Sequence, residues 1–238
     1  MMSALREILK QLLKHPLLRS TRFYHDWEQK VNIPHYHKIL HQFLMHEISD
    51  SLLILDLGSG NRKLSEKVIS LDIIAYPKVD VVGDAHSLPF KSETFDKVVI
   101  QQVLEHVQSY ERVLEEVYRV LKPSGKVYIE VPLIYPIHDK FDFWRFTPKG
   151  LDILCRYYFK PLSSGVIMGG GSAVSVVLRT YFAVIFSRGR KGFWFNFGWF
   201  VGGLLTFWLK YLDELLGIQD NPLMNIVAAA HFWIGEKQ

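Results

Sequence analysis

The sequence predicts an α/β fold built on a doubly wound, mainly parallel sheet, and three observations support that prediction. Residues 52–55 are an apolar run without polar alternation, which is typical of a strand covered on both faces. The run continues into an acidic turn with two glycines, Asp56–Gly60. Further apolar segments of strand length follow, and a helix-period pattern separates two of them. Sheets of this kind bind ligands at the carboxyl ends of their strands.

The glycine turn and the next two strand ends predict a ligand pocket. Gly58 and Gly60 have no Cβ, so the backbone there can turn sharply and approach a ligand closely. The following strands end at Asp72 and Asp84, whose carboxylates suit the hydroxyls of a ribose and the amino group of an adenine. Strand-end acids also cap the helices that follow them. Three in succession favour a nucleoside ligand over capping alone.

The second half of the predicted sheet follows in a regular order. Residues 110–121 carry apolar side chains at helical spacing, and Lys122–Gly125 supplies the proline and glycine that end helices. Residues 126–131 predict the next strand. Thr147 and Pro148 then predict the N-cap and first turn of another helix. Residues 225–235 predict a last strand near the end of the chain.

Composition fits one globular domain with additions. The 238 residues are enough to bury a full core. Cys155 is the single cysteine, so an internal disulfide is impossible and a reducing, cytoplasmic location is expected. The first residues lack the apolar core of a signal peptide. The net charge of +4 and pI of about 9.0 are too weakly basic to predict a nucleic-acid partner.

Five short segments carry a resemblance to a known family. They are Leu55–Gly60, Gly83–Phe90, Thr94–Val98, Val103–Val107 and Glu116–Gly125. In this order and spacing, residues 52–158 resemble the class I S-adenosylmethionine-dependent methyltransferases of the type 11 group. The resemblance implies a Rossmann-like, seven-stranded sheet whose last strand is antiparallel, and S-adenosylmethionine as the cofactor.

The same resemblance implies a set of cofactor contacts. The glycine turn would hold the amino-acid end through its backbone, the second strand end the ribose and the third the adenine. The segment after the fourth strand would line the methyl end. The implied cofactor residues are Asp56, Gly58, Gly60, Asp72, Asp84, Ala85, Leu88, Gln101 and Glu105.

The sequence departs from the family pattern directly after the glycine turn. Asn61–Lys63 stands where a third glycine is usual, and only about a dozen residues separate Gly60 from Asp72. The first helix is therefore expected to be one or two turns around residues 64–67. Arg62 and Lys63 either compensate its weak dipole by direct charge or are solvated surface residues.

Residues 132–146 form the candidate catalytic loop. His138 is the first candidate for a general base and His106 the second, because methyl transfer to a hydroxyl benefits from a base that works near neutral pH. Arg145 either binds an anionic substrate or pairs with Asp142 to stiffen the loop. The spacing of His138, Asp142 and Arg145 resembles that in methyltransferases of cell-surface glycan and lipid-linked sugar pathways. We therefore predict methyl transfer, at oxygen, to a small, sugar or lipid-linked acceptor.

Two other functions are open at this point. A dinucleotide-dependent oxidoreductase shares the glycine turn and the strand-end acid, although the segments after residue 88 argue against it. A non-catalytic scaffold that binds the cofactor at a membrane is the other alternative. Gln101–Leu104 occupies the place of the Asn/Asp-Pro-Pro-aromatic motif, which disfavours amine methylation of nucleic acid.

The predicted domain organisation places the methyltransferase core at 51–164 and 225–238. Residues 1–50 predict an N-terminal helical cap, with one helix near 34–47 whose apolar side chains face inward. The histidines of this cap lack cysteine or carboxylate neighbours, so no metal site is predicted. They are His35, His37, His41 and His46.

Residues 165–224 predict a hydrophobic helical insertion. Its segments 173–186 and 193–216 are rich in large apolar residues, and a basic connector joins them. Three alternatives are open for this insertion. It docks on the inner face of a membrane as part of a peripheral protein, it packs on the chain itself or in a homodimer, or it spans the membrane. Arg179 and the basic connector weigh against spanning. For docking, the polar stripe of the second segment is expected to face water; it comprises Asn196, Gly203, Thr206, Lys210 and Asp213.

Overall fold

The computed structural model describes residues 39–40, 42–44, 52–187, 189, 192–218 and 220–238. From residue 40 onward these belong to one compact unit. Most of the predicted N-terminal cap, including all four of its named histidines, lies outside the described residues. Residues 39–40 and 42–44 are helical, and Leu40 and Phe43 are buried as the pattern predicts.

A seven-stranded sheet forms the centre of the molecule. Its strands are β1 (Ile54–Leu57), β2 (Val68–Asp72), β3 (Val81–Val82), β4 (Phe95–Gln101), β5 (Leu121–Pro132), β6 (Phe159–Met168) and β7 (Ala230–Lys237). They lie in the order β3-β2-β1-β4-β5-β7-β6. Only β7 runs antiparallel to its neighbours, so β6 points the same way as β1, β2, β4 and β5. The predicted fold class is confirmed.

Beyond residue 100, the described part of the chain forms five α-helices, which connect β4 to β5, β5 to β6 and β6 to β7. They are α1 (Tyr110–Val120), α2 (Pro148–Arg156), α3 (Gly170–Ser187), α4 (Phe193–Thr206) and the short α5 (Leu212–Leu215). Single 3-10 turns lie at Leu104–His106, Phe207–Tyr211 and Pro222–Ile226. The predicted cap of α2 is confirmed, because the Thr147 hydroxyl accepts a hydrogen bond from the Gly150 amide at 3.1 Å.

The core lies between α1, α2 and the central strands. Leu55, Val98 and Ile129 are fully buried on β1, β4 and β5, and Val113 and Val117 of α1 are buried with them. Each such side chain contributes about 1.5–3 kcal/mol when it leaves water completely. This core holds the carboxyl ends of β1, β2 and β4 in fixed register, which positions the site described below.

The helix predicted at residues 64–67 does not form, so this prediction is wrong. The chain makes only turns between β1 and β2, because the link is too short for a helical crossover. The amides of Gly58 and Ser59 instead both donate to Leu71 O, at 2.8 and 3.1 Å. Neither Arg62 nor Lys63 is merely solvated, since Arg62 pairs with the buried carboxylate of Asp56 and Lys63 pairs with Asp80.

The insertion and the last strand begin later than their predicted boundaries. β6 pairs with β7 as far as Met168, so the helical insertion starts at Gly170. The segment 222–226 is a 3-10 turn, and β7 begins at Ala230. Both differences arise because strand pairing, which is a tertiary property, decides where a strand ends.

Candidate active site

A cavity of about 460 Å³ opens at the carboxyl ends of β1, β2 and β4. Its volume lies in the range of small-molecule sites. Six of the predicted site residues line it: Gly58, Gly60, Asp72, Asp84, Ala85 and His106. Gln102 and Val103, from the segment predicted to line the methyl end, also line it. Residues that the sequence did not predict complete the wall, among them Ile73, Ile74, Tyr76 and His86. Apolar residues directly after a strand-end acid are the signal that could have predicted Ile73 and Ile74.

The two glycines of the turn serve different purposes. Both adopt left-handed backbone conformations, with φ of 70° at Gly58 and 58° at Gly60. A Cβ at Gly58 would overlap the side chain of Val103, so glycine there is required by packing. A Cβ at Gly60 would meet no atom within 4 Å, so this glycine leaves open space in the cavity wall. The empty space beside Gly60 fits a ligand that contacts the backbone at this position.

Asp72 and Asp84 place two carboxylates in the cavity. Asp72 accepts the Gly60 amide on Oδ2 at 2.8 Å and the Ile74 amide on Oδ1 at 2.9 Å. Each of its oxygens can accept a second hydrogen bond, which is what a ribose diol requires. Asp84 Oδ1 accepts the His86 amide at 2.9 Å, and this bond holds the pKa of Asp84 below its ordinary value. The pair fits the sugar and base of a nucleoside.

Helix α1 holds the turn that carries Asp84 and Ala85. Glu116 Oε2 accepts the Leu88 amide at 2.8 Å, and Arg119 donates to Leu88 O at 3.1 Å and Phe90 O at 2.8 Å. Glu116 and Arg119 also pair with each other at 2.7 Å. The Leu88 side chain is buried and does not line the cavity, so the segment is fixed by its backbone.

Glu130 organises the methyl end predicted at residues 101–105. Its carboxylate accepts the side-chain amide of Gln101 at 3.1 Å, that of Gln102 at 3.0 Å and the hydroxyl of Tyr128 at 3.1 Å. Gln102 has a φ of 55°, an uncommon conformation for a residue other than glycine, and lines the cavity, whereas Gln101 does not. The sequence patterns did not predict Glu130 as a site residue. An acidic residue inside an otherwise apolar strand is the signal that could have indicated its role.

Two buried carboxyl groups lie behind the cavity. Asp56 is fully buried with its Oδ2 unpartnered, and burial raises its pKa to about 6 although Arg62 opposes the shift. Glu105 is fully buried with neither carboxyl oxygen hydrogen-bonded, and burial raises its pKa to about 8. Neither side chain lines the cavity, so their predicted cofactor contacts stay predictions.

The structure brings the two candidate bases together. His106 Nδ1 lies 2.9 Å from Phe141 O, and His138 Nδ1 lies 3.0 Å from Asp142 Oδ2. Both contacts require an N–H donor, so each neutral ring keeps the lone pair of its other nitrogen. Those two Nε2 atoms face each other at 3.2 Å. A single added proton between them would satisfy both rings.

Asp142 and Arg145 support this histidine pair. Asp142 accepts the His138 amide at 3.1 Å, and Arg145 holds the same carboxylate through two nitrogens. Arg145 also donates to Tyr135 O and Pro136 O, at 3.2 and 3.3 Å. These contacts favour the loop-stiffening interpretation of Arg145, and binding of an anionic substrate stays a prediction.

The sheet order and the pocket define a class of protein. The sheet has a reversed seventh strand, a glycine turn after β1 and acidic residues after β2 and β3. This is the architecture of an α/β protein that binds a nucleoside cofactor at the carboxyl edge of its sheet.

Comparisons with known proteins agree with this class. Residues 45–129 match the family model described as a methyltransferase domain. A ubiquinone/menaquinone biosynthesis C-methyltransferase of Citrobacter koseri is 31% identical over 100 residues, which are 40% of this chain and 39% of that protein. A SAM-dependent methyltransferase structure from Archaeoglobus fulgidus has a TM-score of 0.54 and 17% identity, covering 90% of this chain and 100% of that one. A Burkholderia thailandensis 1,6-didemethyltoxoflavin-N1-methyltransferase with bound S-adenosylhomocysteine has a TM-score of 0.52 and 16% identity, covering 90% and 84%.

The family match, the curated relatives and the structural neighbours support a class I S-adenosylmethionine-dependent methyltransferase with S-adenosylmethionine as the cofactor. The family match favours this class over a dinucleotide-dependent oxidoreductase. The chain spans less than half the length of the curated relatives it matches. The matched family segment ends at residue 129. The candidate catalytic loop of residues 132–146, which we call the acceptor loop, therefore lies outside it, as does the helical insertion.

Proposed function

We propose that the protein transfers a methyl group from S-adenosylmethionine to an oxygen of a small, sugar or lipid-linked acceptor, with His106 and His138 acting together as the general base. The observation that carries the proposal is the 3.2 Å contact between their Nε2 atoms beside the cofactor cavity. When bound, the cofactor supplies an electrophilic methyl group on a positively charged sulfur.

The cavity residues would hold that cofactor in a fixed pose. Asp72 would bind the ribose hydroxyls and Asp84 the adenine amino group, while Gly60 leaves room for the backbone to meet the amino-acid end. Gln102, fixed by Glu130, lies on the wall of the same cavity. Because methyl transfer is an in-line displacement, this positioning supplies much of the rate enhancement.

The histidine pair would remove the acceptor proton. Partial burial lowers the pKa of His138 below its usual value, with Asp142 opposing and the nearby His106 adding to the shift, so the ring is neutral at pH 7. The proton from the acceptor hydroxyl passes to Nε2 of His106, which lines the cavity, and is shared with Nε2 of His138. Asp142 stabilises the resulting imidazolium, as a buried carboxylate does beside a catalytic histidine.

The surroundings support an acceptor with an apolar portion. Ile137, Phe141 and Phe143 of the acceptor loop are exposed, although large apolar side chains are usually covered. The loop begins where Leu133 N donates to Ala229 O at 2.8 Å, next to the return of the hydrophobic insertion. An acceptor with a lipid tail would contact both surfaces.

The test uses the full chain, methyl-labelled S-adenosylmethionine and a bacterial lipid extract as the acceptor source. His106→Gln and His138→Gln are expected to lower methyl transfer about 10²–10⁴-fold, the usual contribution of a general base. S-adenosylhomocysteine binding by His138→Gln should stay as in the wild type. Because the pKa of His138 is lowered, the wild-type rate should fall only at pH values below the ordinary histidine pKa.

Lys140→Gln is the matched control, because Lys140 is an exposed residue of the same loop. Full activity of both histidine variants would refute the base assignment. Tight cofactor binding without turnover on any fraction of the extract would favour the non-catalytic scaffold instead.

C-methylation of a lipid-soluble quinone is a second candidate, favoured by the relative named as a ubiquinone/menaquinone C-methyltransferase. The same histidine pair could deprotonate a quinol hydroxyl. The two reactions are distinguished by treating the labelled product with hydriodic acid, which releases methyl iodide from an O-methyl ether but not from a C-methyl group.

A further inference from the structure

The hydrophobic insertion folds into a helical hairpin whose packing is inverted relative to a water-soluble helix pair. Helices α3 and α4 lie against each other through small and polar residues, whereas their large apolar side chains are exposed. Surface helices of soluble proteins bury the apolar stripe and expose the polar one. Small residues between helices and apolar residues outside are typical of helices surrounded by lipid.

The contact face of α4 is a row of small residues. Gly198, Gly202 and Thr206 recur every four residues and are buried. A Cβ at Gly198 would lie 2.6 Å from Phe182 O, and one at Gly202 would lie 2.9 Å from Arg179 Cα, so the two helices are in backbone contact. Thr206 also accepts a hydrogen bond from the Ser175 hydroxyl at 3.2 Å.

The polar stripe expected to face water lies largely inside the hairpin region. Gly203, Thr206 and Asp213 are buried, and only Asn196 of that stripe is classed as exposed. Asp213 of α5 accepts the Gly171 amide at the start of α3. The amphipathic orientation predicted for α4 is therefore wrong, because the partner helix covers the stripe.

Arg179 does not project from the hairpin. Its side chain is 3% exposed, and its guanidinium lies 3.0 Å from the ring centre of Trp199. Ionisable residues inside membranes characteristically face the interior of a helix bundle in this way. The objection that Arg179 raises to contact with lipid is therefore removed by the fold.

The exposed apolar residues cover both outer sides of the hairpin. On α3 they include Val177, Tyr181 and Ile185, and on α4 they include Leu205 and Trp194, each between 43% and 61% exposed. At 3.6 residues per turn, the α3 set lies opposite the contact face of its helix, whereas Leu205 and Trp194 lie on one flank of the α4 contact face. A twofold dimer covers one such patch and leaves the other in water, whereas lipid covers both.

We infer that the hairpin of α3 and α4 inserts into one leaflet of an anionic lipid bilayer. Among the helices in the described ranges, α3 alone has the length and apolar composition of a membrane span, with a mean hydropathy of 1.4 and 44% of it buried. α4 is only about 21 Å long, which is short of a hydrocarbon core of about 30 Å. The connector carries Arg188, Arg190 and Lys191, whose charge complements anionic headgroups.

This insertion would bring the active site to the lipid surface. β6 leads into α3 at the carboxyl edge of the sheet, where Ala229 N donates to Met168 O at 2.7 Å. The cofactor cavity and the acceptor loop open at this same edge. Insertion of the hairpin into lipid does not depend on which acceptor is methylated. Failure of the proposed acceptor in the activity test would therefore leave the inferred membrane contact unaffected.

Flotation of the full chain with vesicles of phosphatidylglycerol or of phosphatidylcholine alone tests the inference. The wild type is expected to float with the anionic vesicles. The double variant Ile185→Gln, Leu205→Gln should bind about tenfold or more weakly, because two exposed apolar side chains leave the lipid. Neutralising Arg188, Arg190 and Lys191 with glutamine should weaken binding about a hundredfold.

The control replaces apolar residues of comparable exposure outside the hairpin, Ile153→Gln and Leu162→Gln, which should float like the wild type. S-adenosylhomocysteine binding reports that every variant is folded. Absence of vesicle binding by the wild type, or equal binding by the hairpin variant, would overturn the inference. A wild-type dimer that becomes monomeric in the hairpin variant, without vesicle binding, would assign the surface to a second copy.

Discussion

Glu105→Gln should change how the stability of the protein depends on pH. The Glu105 carboxyl is fully buried without a hydrogen-bond partner, and burial raises its pKa from about 4.5 to about 8. Between these values the folded protein holds a proton that the unfolded chain releases. Its contribution to stability is therefore present below pH 4.5 and is lost as the pH rises toward 8.

The size of the effect follows from the two pKa values. At about 1.4 kcal/mol per pH unit, the difference from 4.5 to 8 amounts to about 5 kcal/mol. Glutamine resembles the protonated carboxyl in shape and does not ionise. The variant should therefore match the wild type near pH 5 and exceed its free energy of unfolding by several kcal/mol at pH 8.

Urea denaturation of the cofactor-free protein at intervals from pH 5 to 8.5 measures this difference. Asp56, whose pKa is raised to about 6, titrates in both proteins and cancels in the comparison. Glu66→Gln is the control, because Glu66 is exposed and its variant should follow the wild-type curve. Parallel curves for Glu105→Gln and the wild type would show that Glu105 is solvated or paired in solution, which would refute the reasoning.

Two further substitutions test the cofactor site. Gly58→Ala should destabilise the fold by about 2–4 kcal/mol in urea denaturation, combining a positive φ with the overlap on Val103. Gly60→Ala should lower the free energy of unfolding by only about 1–2 kcal/mol, because an added Cβ there strains the backbone but overlaps no atom. Val103→Ala should restore part of the stability lost in Gly58→Ala. Equal losses for the two glycine variants, without any rescue by Val103→Ala, would contradict the packing argument. Asp72→Ala should weaken S-adenosylhomocysteine binding about 10–100-fold in calorimetry, the range for a hydrogen bond to a charged group. Asp80→Ala, outside the cavity, should leave that affinity unchanged, and an unaltered affinity in Asp72→Ala would remove the assigned ribose contact.

Local sequence patterns predicted the cofactor half of the site. Gly58, Gly60, Asp72 and Asp84 each lie at the end of a strand, and parallel strands end at one edge of the sheet. Their approach in space therefore follows from strand spacing alone. The reversed last strand came from the family resemblance, and the order of the strands came from the structure, since no periodicity specifies which strands pair.

The catalytic and lipid-facing features depend on contacts between distant segments. His106 and His138 are separated by 32 residues, and their contact requires the loop geometry that Asp142 and Arg145 maintain. Glu130 reaches Gln102 only across two paired strands. A helical pattern likewise predicts the stripes of α4, but its neighbour decides which stripe is covered.

The sequence by itself determined the strand-end carboxylates, the glycine turn and the presence of two apolar helices, because these depend on residue type and local spacing. Only the tertiary structure decided that the Nε2 atoms of two histidines face each other, that the buried Glu105 carboxyl has no hydrogen-bond partner and that the hairpin turns its polar residues inward. The physical reason is that solvation and proton affinity depend on which groups surround a side chain, and those groups come from remote parts of the chain.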